Sequence, residues 1–214
     1  YRAGRILMPR LTQSPNVSGK LRDADIQPTS SETKMTDEQI DQSIETNELK
    51  LTTWEKFTHY GIVGFLFFIP TVPLFLYFKD LLKGTSKGFN GGMLLFIIVP
   101  SILGLLFYRL QRNRLKFKIA ETNLTRDELD EIIHQVSTEL KWTIFTTNKR
   151  IIEAKTFPSF FSGSWGEQIT ILFDNKRVLV NSICDLDKQS SVVSMGRNKK
   201  NTNRLIDEIE KASR

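Results

Sequence analysis

The sequence predicts an α+β protein in two parts: a transmembrane helical hairpin followed by a small α+β domain of helix, four to five mainly antiparallel strands, and helix. Three observations predict it. Phe57 to Phe78 and Gly88 to Tyr108 are runs of 22 and 21 residues without Asp, Glu, Lys or Arg, longer than the roughly 18 apolar residues that mark a membrane-crossing helix. From Leu124 onward the apolar residues keep a helical period, then alternate, then return to a helical period. The alternating stretches are separated by short turn signals, Asn148-Lys149 and Asp174-Asn175-Lys176, which allow antiparallel links but no crossover.

The average composition conceals the hairpin: of 214 residues, 40% are hydrophobic and 25% charged. That composition excludes a collagen, a coiled coil and a disulfide scaffold. Residues 1–35 are rich in Ser, Thr, Pro, Asn and basic residues without an apolar period, which predicts a disordered tail. Residues 1–22 hold five basic residues and no acid, also the character of an organellar transit sequence. Organised sequence follows Met35, which makes it an alternative start. Thr36 and Gln39 have capping-box spacing, and Ile40 and Ile44 share a helical face. Residues 36–56 are therefore expected to be a short amphipathic segment, helical around 37–48, lying on the bilayer surface.

The hairpin spans residues 57–108, as helices over 57–78 and 88–108. Pro70, Pro73 and Pro100 predict kinks. Gly61, Gly64, Ser101 and Gly104 allow close helix contact, and Trp54, Tyr60, Tyr77 and Tyr108 sit near the ends, where amphipathic rings prefer the interface. Neither run offers the charged residue of an ion pathway or proton relay, which favours an anchor over a transporter.

Residues 109–118 form a basic juxtamembrane segment with Arg109, Arg112, Arg114, Lys116 and Lys118 and no acid. With Lys50 and Lys56 the flanks carry seven basic residues, against Lys79, Lys83 and Lys87 towards the loop. The imbalance predicts both termini on the cytoplasmic side of a bacterial inner membrane. The alternative is an organellar inner membrane with both termini in the matrix or stroma. Residues 119–214 carry 14 basic and 14 acidic residues, so the soluble domain lacks the basic surplus of a nucleic-acid binder.

Within that domain Thr125 and Glu128 make a second capping box, and Leu129, Ile132, Ile133, Val136 and Leu140 keep a 3.6 period. Strands follow over Trp142–Thr146, Ile151–Thr156, Gln168–Phe173 and Val178–Ile183, with a weaker fifth over Ser191–Met195. Leu205, Ile206, Ile209 and Ala212 define the last helix.

The helix ending in Leu140-Lys141-Trp142, the stretch GEQITILFDNKRVLVNSICD, and SSVVSMGRNKKN before the last helix resemble a group of small membrane proteins from Bacteroidota. These carry two membrane helices and a similar C-terminal domain. The resemblance covers roughly residues 50–214 and implies the fold but no activity. The layout is also similar to bacterial membrane proteins with a pleckstrin-like domain after a hairpin, from which it departs by placing a helix before the strands.

No catalytic residue, metal site or cofactor is predicted. Cys184, the single cysteine, ends an apolar strand and reads as a buried small hydrophobe. His59 lies at the membrane boundary. Glu131 and His134 form one Glu-x-x-His spacing among the polar positions of a helix, where a solvated face accounts for it better than a metal site. There is no Gly-rich phosphate loop and no nucleophile elbow.

Two features carry binding chemistry. Gly196 to Lys200 sets Arg197, Lys199 and Lys200 at a helix start, where backbone donors favour anions. Arg109, Arg112 and Arg114 can join them in attracting anionic lipid. The loop Thr156 to Gly166 gathers Phe157, Phe160, Phe161 and Trp165, either as a lid folded on the core or as a surface for the membrane interface or a partner. The leading expectation is a membrane-anchored, non-enzymatic protein. Its cytoplasmic domain would bind a protein partner, as a subunit or assembly factor of a membrane complex, or another copy of itself. The alternative is a lipid-headgroup or anionic-ligand binding module. The partners expected are thus the lipid bilayer and a protein, not nucleic acid.

Overall fold

The computed structural model describes residues 35–85, 88, 90–158, 165–188 and 194–214. The first element, α1 (Asp37–Thr46), begins where expected: Gln39 N–H donates to Thr36 Oγ1 at 3.3 Å and Thr36 N–H to Gln39 Oε1 at 3.0 Å. A third capping box, Thr52 with Glu55, starts α2 (Thr53–Phe68). The chain passes Pro70 into α3 (Thr71–Leu82), where Thr71 Oγ1 donates to Phe68 O at 2.6 Å beside the break. The return helix α4 (Gly91–Arg114) contains Pro100, and Ser101 Oγ donates to Ile97 O at 2.7 Å. Hydroxyls thus bond helix carbonyls next to both interruptions, as an apolar medium requires.

Thr53–Leu82 and Gly91–Arg114 are long and apolar enough to cross a membrane, and little of either is covered by protein. Their side chains, among them Phe65, Phe68, Phe75, Leu95 and Phe96, face outward. Gly104 packs on Phe67: a Cβ there would lie 3.1 Å from the ring. Gly64 has no neighbour that close, so of the two only Gly104 serves tight packing.

Beyond α4 the chain forms β1 (Lys118–Glu121), α5 (Arg126–Leu140), β2 (Trp142–Thr147), β3 (Ile151–Thr156), β4 (Glu167–Asp174), β5 (Arg177–Cys184) and α6 (Arg197–Ala212). The five strands make one antiparallel sheet in the order β1-β5-β4-β3-β2. The protein is thus α+β, with two apolar helices preceding the strand domain. Short turns join β2 to β3 and β4 to β5, as expected, with Asn148 Oδ1 accepting from Arg150 N–H and Ile151 N–H, whereas residues 157–166 separate β3 from β4.

Both faces of the sheet are covered. On one, α5 and α6 bring Leu129, Ile133, Val136, Leu205 and Ile209 onto Ile152, Ala154, Ile169, Ile171 and Val180. On the other, Met35, Ile40, Leu49 and Leu51 join Phe117, Ile151, Leu172, Leu179 and Ile183. Burial of each such aliphatic side chain contributes roughly 1.5–3 kcal/mol, so this second layer is a true half of the core.

The basic juxtamembrane segment 109–118 comprises the last turns of α4, then buried Phe117 and the start of β1. Two expectations change. The segment over 36–56 does not present its apolar face to a bilayer: Ile40 and Leu49 are enclosed against the sheet. A fifth strand among the described residues is β1; of the expected Ser191–Met195, residues 191–193 lie outside the described residues, and Ser194 and Met195 precede α6 outside any strand. β1 was illegible because it has four residues, only one of them buried. Its place at the sheet edge suits its lysine, since edge strands favour charge.

Candidate anion-binding cleft

The register places three connections together. β1 pairs antiparallel with β5, Lys118 opposite Val180, so the end of β1 next to α4 lies where β5 finishes. β4 begins at that end, Glu167 opposite Cys184, and β3 finishes there, Lys155 opposite Gln168. The α4 terminus, the β3–β4 loop and the β5–α6 connection therefore share one end of the sheet.

A cleft of about 570 Å³ opens there between α4, β5 and the start of α6. Arg114, Lys116, Lys118 and Lys199 line it, and no Asp or Glu is among its described lining residues. Asn181 and Ser182 of β5 form its floor, with Gly196 and Asn198 on the α6 side. Asn181 is 1% exposed, and its Nδ2 donates to Arg114 O at 2.8 Å and Lys116 O at 3.0 Å. It thereby ties the end of α4 to the sheet. Asn181 Oδ1 and Arg114 Nη1 are both buried and have no hydrogen-bond partner among the described residues.

The α6 wall is held by a buried polar chain. Trp142 Nε1 donates to Asn201 Oδ1 at 3.3 Å, Asn201 Nδ2 to Ser182 Oγ at 3.1 Å, and Ser182 Oγ to Asn198 Oδ1 at 3.1 Å. The N-cap Gly196 has φ +79° and supplies no side chain to the first-turn amides, which leaves the cationic helix end facing the cleft. Lys118 Nζ also reaches Asn203 Oδ1.

The six basic residues singled out in the sequence separate. Arg114 and Lys199, 85 positions apart, meet in this cleft. Arg109 and Arg112 line a smaller recess of about 360 Å³ with Glu48, Asn113 and Lys116, where the carboxylate offsets their charge. Arg197 and Lys200 line neither. Sequence reasoning passed over Asn181, although an Asn inside VLVNSIC was a signal: a polar residue in a strand otherwise buried on both faces needs a partner.

Of the aromatic loop, Phe157 is 64% and Trp165 51% exposed, so neither is a lid on the core. Phe160 and Phe161 lie outside the described residues. The neck of the loop is fixed by Thr156 Oγ1 bonding Glu167 and by Asp185 N–H donating to Gly166 O at 3.0 Å. Nearby, Lys155 pairs with buried Asp185 at 2.8 Å. Glu131 and His134 are exposed, Cys184 is buried, and no metal-ligand cluster occurs among the described residues. Compared with known proteins, the chain matches no family model, no curated protein and no solved structure.

Proposed function

We propose that the protein is a membrane-anchored binding module whose α+β domain holds an anionic, phosphate-bearing ligand at the bilayer surface. The observation that carries this reading is the convergence of Arg114, Lys116, Lys118 and Lys199 on one cleft without a carboxylate among its described lining residues. A cleft walled by one sign of charge concentrates counter-ions. Its position supports the surface location. Asn113 and Arg114 stand roughly 7–9 Å beyond Tyr108 along the helix axis, at the outer edge of the headgroup layer, which is about 5–8 Å thick on each side. Both termini lie on the cytoplasmic side of a bacterial inner membrane in this reading, since the cationic ends of the hairpin flank the domain. No step of bond chemistry is assigned, so the protein is read as non-enzymatic.

The test is retention of anionic lipid by the full chain in maltoside micelles. Replacing Arg114, Lys116, Lys118 and Lys199 together by Gln is expected to weaken it at least tenfold, given about 1 kcal/mol per basic residue near an anionic surface. Unchanged retention would rule the reading out.

A second reading, a protein partner docked beside the hairpin, rests on Phe157 and Trp165 exposed at the same end of the sheet. Ser at both positions should abolish such an association while leaving thermal stability unchanged.

A further inference from the structure

The cleft contains two unused hydrogen-bonding atoms of opposite character, and they narrow the ligand. Arg114 Nη1 is a buried donor and Asn181 Oδ1 a buried acceptor, neither with a partner among the described residues, and both residues line the cleft. The amide orientation of Asn181 is fixed by its Nδ2, which donates to two carbonyls, so Oδ1 must face away from them. An anion alone answers Arg114 and the lysines but leaves Asn181 Oδ1 facing a second acceptor. A buried polar atom without a partner costs more than the net worth of a hydrogen bond, so the complementary ligand brings a donor too.

Building on the function proposed above, we infer that the cleft takes a phosphate that carries a hydroxylated substituent. The phosphate oxygens lie between Arg114 and Lys199, and a hydroxyl of the same group donates to Asn181 Oδ1. A polyol headgroup of an acidic phospholipid and a soluble polyol phosphate share this chemistry. The cleft's place at the end of α4 favours the lipid.

The experiment compares two short-chain lipids of equal charge and one soluble phosphate, by titration calorimetry of the full chain in maltoside micelles. Dihexanoyl-phosphatidylglycerol is set against dihexanoyl-phosphatidylpropanol, which keeps the phosphodiester and lacks both headgroup hydroxyls, and against glycerol 3-phosphate. The glycerol lipid is expected to bind about fivefold more tightly than the propanol lipid, the effect of one hydrogen bond. Arg114→Gln with Lys199→Gln should weaken both lipids. Glycerol 3-phosphate binding as tightly as the lipid would uphold the hydroxylated phosphate and assign it a soluble source. Equal affinity for the two lipids, with both lost in the double variant, overturns the hydroxyl inference and leaves an anion site. Failure of every ligand to bind overturns the anion site as well.

Discussion

His59 of α2 and Gln111 of α4 exchange hydrogen bonds across the base of the hairpin: His59 Nε2 lies 3.1 Å from Gln111 O, and Gln111 Nε2 donates to His59 O at 2.6 Å. A carbonyl only accepts, so the imidazole carries its proton on Nε2. Both side chains are buried. Just beyond them, Leu49 N–H donates to Leu115 O at 2.7 Å and Phe117 N–H to Asn47 O at 3.0 Å. The two strands of chain that enter and leave the hairpin are thereby stapled together before they meet the sheet.

Each bond of the His59–Gln111 exchange runs from a side chain to the other residue's backbone carbonyl, so each can be removed by itself. His59→Leu and Gln111→Leu are each expected to cost about 0.6–1.7 kcal/mol, the range for hydrogen bonds between membrane helices. Reversible unfolding in micelles measures it. Single variants as stable as the parent would show that the exchange is not energetically used.

Asn181→Leu removes the donor that holds the end of α4. The carbonyls of Arg114 and Lys116 lose a buried partner, so a loss of about 1–3 kcal/mol is expected. Denaturant unfolding followed by circular dichroism would detect it, and a variant as stable as the parent contradicts the anchoring role.

Gly104→Leu should loosen the hairpin, because even a Cβ meets the Phe67 ring at 3.1 Å. Overpacking of this kind costs about 1–3 kcal/mol. Phe67→Ala in the same chain is expected to restore part of that stability. Gly64→Leu, which meets no neighbour within 4 Å at its Cβ, should be close to neutral.

Acid should weaken the contact between α5 and α6. Arg204 bonds Glu139 at 2.9 Å and also pairs with Glu208, which Lys211 bonds at 2.8 Å. The Arg204 hydrogen bond holds the Glu139 carboxyl below its ordinary range, while Lys211 and then Arg204 lower Glu208. A carboxylate with a depressed native pKa contributes stability that is complete above its unfolded value of about 4.3 and lost as pH falls through the native value. The Arg204→Gln variant should therefore be less stable than the parent at neutral pH and converge with it in acid. Parallel pH–stability curves for the two proteins would exclude this coupling.

Much of the layout was legible in the sequence because its causes are local. The apolar runs, the Thr36 and Thr125 capping boxes, the alternation in β3 to β5 and the turns at Asn148 and Asn175 each act within a few residues. The apolar half of the last helix was equally plain. Ala212 was the exception, since it falls in the exposed final turn.

What only the tertiary structure decided is everything that joins residues far apart in the chain. The charges on Arg114 and Lys199 were visible separately, but the pairing of β1 with β5 brings them to one cleft. Ile40 had the look of a surface helix until the sheet's second face required covering. Phe157 and Trp165 could have lined the core or faced outward, and packing left them outside. Local sequence decides which backbone states are favourable, whereas burial, register and charge convergence depend on which surfaces meet, and that is settled by the whole chain at once.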